Sequence, residues 1–199
     1  MKYYEAIEDT RNAKKQLRSQ YKQYRLDLPP DVKAEYDKKM CDIMLQMVSF
    51  KYSDTILMYA PRIGEVNIMP IAEKALELGK KVAFPRCKEN PRTLEFKYIS
   101  SIDQLTPGSY SINEPSEELE TVTDYSKSIC IIPGVVFDKE GYRIGYGKGY
   151  YDRFLSSYDG TKFGLAYSEC IIDTVPRGKH DRHVDMLVSE KGAKVAKSK

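Results

Sequence analysis

The chain has 199 residues, 41% of them hydrophobic and 11% aromatic, which suits one compact domain with a real core and argues against disorder. Lys plus Arg number 32 against 29 Asp plus Glu, and a net charge of +3 is too balanced to imply nucleic acid by itself. Cys41, Cys87, Cys130 and Cys170 have neither zinc-ligand nor redox spacing, and read as reduced core residues of a cytoplasmic protein. Met1 to Arg18 is charged throughout, without the apolar stretch of a signal peptide. No apolar run approaches the length of a membrane span. The expectation is a soluble protein with no membrane or nucleic-acid partner, as a monomer or weak dimer.

Residues 5 to 28 are polar and helix-forming, closed by Leu28-Pro29-Pro30, and Pro30-Asp31 opens a second helix. In it Val32, Tyr36, Met40, Ile43, Met44 and Met47 recur at helical spacing on one face, and read as core. Thr55 to Ala60 is a short apolar run ending in Pro61, the pattern of a buried strand. Pro70 to Leu78 reads as a helix stopped by Gly79. Lys81 to Phe84 is a second strand, ended by Pro85, and Ser128 to Ile132 a third, ended by Pro133. A helix over Tyr150 to Ser157 precedes strands at Phe163 to Ala166 and Asp185 to Ser189. Lys191 to Lys199 reads as a frayed basic tail.

Short apolar strands alternating with helices indicate a single α/β domain, a mainly parallel sheet flanked by helices. The N-terminal helical arm covers about residues 5–50 and the core about 53–190. Ligands of such sheets sit beyond the carboxyl ends of the strands. That rule selects the loops Pro61 to Asn67, Pro85 to Leu94 and Pro133 to Gly149.

The third loop is the most informative. Glycines at 145, 147 and 149 let backbone N–H groups approach a phosphate, and the helix starting at Tyr150 would aim its N-terminus at the same anion. Lys148 and Arg143 add positive charge, and Asp152 a carboxylate. The pattern is neither a P-loop nor a dinucleotide fingerprint, since Tyr142, Gly149 and Tyr150 occupy places those motifs reserve for other residues. The triplet by itself is compatible with a phosphate cradle or with a tight turn.

From Pro133-Gly134, through Phe137-Asp138, Gly141 and Arg143, to Gly147-Lys148-Gly149-Tyr150-Tyr151-Asp152, the segment resembles the signature of the 5-formyltetrahydrofolate cyclo-ligase family. Lys14-Lys15-Gln16-Leu17-Arg18, Gly64-Glu65-Val66, Phe84-Pro85-Arg86, Leu94-Glu95-Phe96, Gly108 to Pro115, and Val175-Pro176 through His180-Asp181 to Asp185 resemble its other segments, in order. The resemblance implies conversion of 5-formyltetrahydrofolate and ATP to 5,10-methenyltetrahydrofolate, ADP and phosphate, with Mg²⁺. It places Lys14, Lys15, Gln16, Leu17 and Arg18, with Arg143, Ile144, Gly145, Tyr146, Gly147, Lys148, Gly149, Tyr150 and Tyr151, around the ATP. Arg143 and Lys148 are its catalytic cations. Ala60, Glu65 and Tyr150 would bind the folate, and Asp152 and Asp185 the metal.

Read without the resemblance, Lys14 and Arg18 are one turn apart on a polar helix and suit a solvated face. Asp185 would be an ordinary strand-edge residue. His180 and His183 suggest zinc by spacing, but lack a third ligand and read as loop residues. Where some relatives carry Arg this chain has Tyr146, so Lys148 or Arg143 must supply that charge. The competing reading is a non-catalytic nucleotide- or RNA-associated relative, since a fold can outlive its activity. It expects a damaged glycine loop, a lost acidic pair or an added basic module, and the sequence has none of these.

Overall fold

The computed structural model describes residues 2–196, with side chains from Asp9 onward. The chain begins with α1 (Lys2–Asp27), and Pro29-Pro30 breaks it as expected. Pro30 is the first residue of α2 (Pro30–Gln46), where a missing N–H costs nothing. α3 (Val48–Tyr52) leads into β1 (Thr55–Leu57), α4 (Met69–Glu77), β2 (Lys81–Glu89) and β3 (Arg92–Ile99). There follow β4 (Leu105–Pro107), β5 (Asn113–Pro115), β6 (Ser128–Ile132), β7 (Val136–Asp138) and β8 (Arg143–Ile144). α5 (Tyr150–Leu155), β9 (Thr161–Leu165), β10 (Ile171–Ile172), β11 (Met186–Ser189) and β12 (Gly192–Val195) complete the order.

Seven strands form the main sheet in the order β12-β11-β9-β6-β1-β2-β3. The five inner strands are parallel, and β3 and β12 pair antiparallel at the two edges. β1 and all of β6 are buried, as parallel strands covered on both faces must be. Met40 and Met44 of α2 have no exposed surface, so the methionine stripe is core. α2 packs on β11, α4 on β2, and α5 on β3, where the Phe154 and Phe96 rings lie 4.8 Å apart. The α/β reading with a helical N-terminal region holds. Smaller sheets, β10-β7-β8 and β4-β5, lie outside the main one.

Two expectations fail for physical reasons. Pro85 does not end its strand. β2 continues to Glu89 and forms a hairpin with β3, in register Pro85↔Phe96. Phe96 turns its carbonyl away from β2, to the Val122 amide at 2.8 Å, so this pair makes no bonds across the ladder. The missing N–H of Pro85 therefore faces the side β1 has already left, where proline is tolerated. Nor is the stretch from Lys191 a frayed tail throughout: Gly192–Val195 pairs with β11 as β12. Its lysine is typical of a protected sheet edge, which resembles a solvated tail in composition. Residues 197–199 lie outside the described residues.

β1 is the switch point of the sheet, because the chain leaves it toward β2 on one side and later returns to β6 on the other. Just past the carboxyl ends of these two strands lie Tyr59 and Ala60, and Pro133. A crevice is expected there.

Candidate active site

A cleft of about 1370 Å³ opens at that point. Its wall includes Arg11, Lys14, Lys15 and Arg18 of α1, Ala60, Arg62 and Glu65 after β1, and Pro85, Cys87 and Leu94 of the β2–β3 hairpin. Tyr110 and Glu114, Arg143 to Arg153, and His180 to Arg182 complete most of it. All three selected segments thus reach one cavity, the middle one as a hairpin rather than a loop.

The glycine loop is fixed at its root by Asp138, a fully buried carboxylate. Oδ1 accepts from the Glu140 and Tyr142 amides at 3.0 Å each, and Oδ2 from the Val175 amide at 3.1 Å and Arg177 Nη2 at 2.8 Å. Four donors satisfy the buried charge and pin the β7–β8 turn. The Phe-Asp part of the sequence signature is therefore architectural. Beyond it, Gly147 and Gly149 adopt φ of 88° and 72°, values that a Cβ would strain. Arg18 Nε donates to the Gly145 carbonyl at 2.7 Å, which holds the loop against α1.

Lys148 sits exposed between these glycines. Its ammonium lies 5.2 Å from the centre of the Tyr110 ring and makes no ion pair among the described residues. Arg143 is different. Its side chain is 5% exposed, with Nη2 on Asp152 Oδ1 at 3.0 Å and Nη1 on the Arg182 carbonyl at 2.7 Å. It braces β8 against α5 and lines the cleft as a strut. Asp152 Oδ1 also accepts from the Arg182 amide at 3.2 Å; Oδ2 has no hydrogen bond among the described residues.

On the facing wall, Glu65 is 4% exposed. The turn Arg62–Glu65 closes on itself: the Glu65 amide donates to the Arg62 carbonyl at 2.9 Å, and the Arg62 amide to Glu65 Oε2 at 2.8 Å. Oε1 is buried without a hydrogen-bond partner among the described residues. Burial raises the Glu65 pKa, opposed by the Arg62 amide, the Tyr146 hydroxyl and the charges of Arg25 and Arg62. A buried carboxylate with an unused oxygen suits a neutral ligand bearing N–H donors. Tyr150 lines the same cleft, its hydroxyl 3.5 Å from that of Tyr110, and the buried Tyr151 hydroxyl has no partner among the described residues.

The structure brings most of the sequence-predicted residues together. Lys14, Lys15, Arg18, Ala60, Glu65 and the whole run Arg143 to Asp152 line the cleft. Three residues are placed elsewhere. Gln16 points away and is exposed, and Leu17 packs against Val136, Ile144 and Val175; on a helix, neighbours of Lys15 and Arg18 fall on other faces. Asp185 stands at the amino end of β11, off the cleft wall. There Oδ2 accepts from the Lys162 amide at 2.8 Å and pairs with Lys162 Nζ at 3.2 Å. Among the described residues no group of three or more His, Cys, Asp or Glu could hold a metal. No helix among them is long and apolar enough to cross a membrane.

Sequence reasoning gave no site role to Arg62, Tyr110 or Asp181, although each lies in a segment it singled out. Arg62 stacks on the Tyr146 ring at 4.7 Å and donates from Nη2 to the Tyr110 carbonyl at 3.1 Å. Tyr110 holds a left-handed φ of 58°, a conformation no local sequence signal announces for tyrosine. Asp181 pairs with Lys14 across 167 positions.

Comparison with known proteins agrees with this geometry. Residues 10–190 match the profile of the 5-formyltetrahydrofolate cyclo-ligase family. A probable 5-formyltetrahydrofolate cyclo-ligase of Caenorhabditis elegans is 26% identical over 90% of this chain and 95% of its own. The 5,10-methenyltetrahydrofolate synthetase of Aquifex aeolicus, solved by NMR, superposes with a TM-score of 0.83 at 33% identity, covering 94% of each chain. The corresponding synthetase of Mycoplasma pneumoniae gives 0.72 at 25% identity, over 89% of this chain and 98% of its own. The chain belongs to the 5-formyltetrahydrofolate cyclo-ligase family.

Proposed function

We propose that the chain closes 5-formyltetrahydrofolate to 5,10-methenyltetrahydrofolate at the expense of ATP, with release of ADP and phosphate. The observation that carries this is one cleft with two unlike walls: a cationic glycine loop on one side, a buried carboxylate with a free oxygen on the other. A formamide oxygen is a poor leaving group, so attack of N10 on the formyl carbon cannot by itself expel it. Transfer of the γ-phosphate to that oxygen makes it expellable, and ring closure then releases phosphate. Such a reaction asks the protein mainly for positioning and charge stabilisation.

Lys148, exposed and without an ion pair among the described residues, takes the phosphates. Arg18, Lys14 and Lys15 add charge from α1, while Arg143 holds Asp152 in place. Glu65 binds the N–H edge of the pterin against Tyr150. Asp152 is the carboxylate that suits Mg²⁺, because its Oδ2 faces a cleft meant for phosphate oxygens. One carboxylate and several phosphate oxygens and waters are enough for that ion, which would neutralise charge on the transferred group. Asp185 is left to its pair with Lys162.

Purified protein with 5-formyltetrahydrofolate and MgATP should develop the near-ultraviolet absorption of the methenyl product, one ADP per turnover, and none without ATP. Tight ATP binding with no product would favour the non-catalytic relative instead.

A further inference from the structure

Tyr146 reaches from the glycine loop to the turn that carries Glu65. It lies between Gly145, whose carbonyl Arg18 holds, and Gly147 at φ 88°, so it moves with the phosphate-facing backbone. Its hydroxyl faces the Glu65 carboxylate and favours its charged form, and Oε1 of that carboxylate is buried without a hydrogen-bond partner among the described residues. Its ring is covered by the Arg62 guanidinium at 4.7 Å, with Lys22 Nζ at 5.7 Å. Arg62 belongs to the same turn as Glu65. The phenol therefore lies between the carboxylate and the cation of one wall, while its backbone belongs to the other.

We infer that Tyr146 is a positioning residue which couples the two ligand sites, so that a nucleotide seated on the Gly145–Gly149 backbone tightens folate binding at Glu65. This rests on the reading of the cleft given above. A phosphate drawing in the loop's N–H groups fixes the Tyr146 backbone, and with it the hydroxyl that orders Glu65. By linkage the folate must then tighten the nucleotide by the same factor. Other groups also face Glu65: Arg25 of α1, Tyr59 after β1, Arg62 of its own turn and Tyr151 of α5. None of these sits on the glycine backbone between the phosphate-facing amides, which is why the coupling is assigned to Tyr146.

The test is calorimetric titration of 5-formyltetrahydrofolate into the protein alone, and into the protein saturated with a non-hydrolysable MgATP analogue. It is run for wild type and Tyr146→Phe, which keeps the ring under Arg62 and loses only the hydroxyl. The wild-type affinity for folate should rise about tenfold with nucleotide, and the ratio should fall to within about twofold of unity in the variant. The hydroxyl favours the charged form of Glu65, so in the variant acidification should abolish folate binding at a higher pH. A structural role alone would move neither the ratio nor that midpoint. A wild-type ratio of one, or an unchanged ratio in Tyr146→Phe, overturns the coupling and leaves the functional reading standing. If wild type binds no folate with or without nucleotide, the functional reading fails, and the coupling with it.

Discussion

Lys148 and Glu65 face the same cleft but are held in opposite ways. Lys148 is exposed, flanked by glycines and without an ion pair among the described residues. Glu65 is 4% exposed and tied by its own turn. The difference follows from what each must recognise. A phosphate is strongly charged and finds a solvated ammonium without a desolvated partner waiting. A pterin edge is neutral, and only a carboxylate already stripped of water distinguishes its N–H donors from those of the solvent. One wall keeps its charge solvated. The other accepts burial in return for selectivity.

The sharpest way to break that contrast is at Lys148. Lys148→Met keeps the length and removes the ammonium, which makes no ion pair among the described residues. The rate of ATP-dependent turnover should fall by about 2–4 kcal/mol of transition-state stabilisation, tens to about a thousandfold. The loss should be the same at every magnesium concentration, with an unchanged melting temperature. Glu65→Gln should act on the other wall, weakening folate binding by roughly 1.5–3 kcal/mol, about ten- to a hundredfold. Nucleotide affinity measured without folate should change little.

The same substitution carries a second signature, of opposite sign. Burial raises the Glu65 pKa in the folded protein, so the native state binds a proton more tightly than the unfolded chain. Stability therefore falls as pH rises from the unfolded value through the folded one, and the full penalty is present above both. Glu65→Gln removes a charge the fold pays to bury. Its melting temperature should exceed that of wild type at neutral pH, and the gain should shrink as the pH is lowered through that window. A variant that melts earlier at neutral pH would show that the carboxylate supports the turn more than burial costs it.

Asp152→Asn tests the metal reading. An Asn Oδ1 can still accept from Arg143 and the Arg182 amide, so the strut survives while the charge is lost. The magnesium needed for half-maximal rate should rise about tenfold, with activity partly recovered by excess metal. An enzyme with unchanged magnesium dependence and only a lower melting point would make Asp152 a brace for Arg143 and nothing more.

How much of this was legible in the sequence depends on whether a residue acts locally or across the fold. The inner strands, the methionine face of α2 and the break at Pro29-Pro30 are local patterns, and they hold. The Gly145–Gly149 loop was readable because glycine announces backbone geometry. Pro85 misled because its missing N–H matters only if a neighbour strand is there to receive it, and β1 is already gone at that level. Asp185 misled because a carboxylate in a family segment does not reveal that Lys162, brought alongside by β9–β11 pairing, already occupies it. Arg62, Tyr110 and Asp181 received no site role because their partners are remote in sequence or bound through backbone. Only the folded chain brings them to the cleft.

Asp181 offers the smallest effect and the most informative sign. It pairs with Lys14, both side chains 20% exposed, and its Oδ2 also accepts from the Gly178 amide at 2.7 Å. Without ligand, the pair steadies the long helix α1 against the loop that follows β10. With nucleotide present, a carboxylate on Lys14 competes with the phosphates for the same ammonium. Asp181→Asn keeps an oxygen for Gly178 and releases Lys14. A partly exposed ion pair contributes about 0.2–1 kcal/mol, so the melting temperature should fall slightly, and less in high salt. ATP, by contrast, should bind more tightly, by up to about fivefold for an energy of that size, as no other change here would do. Nucleotide titrations at low and high salt, with melting curves alongside, separate the two roles. If affinity for ATP drops together with stability, then Lys14 reaches the nucleotide only when Asp181 orients it, and the pair belongs to the binding wall rather than competing with it.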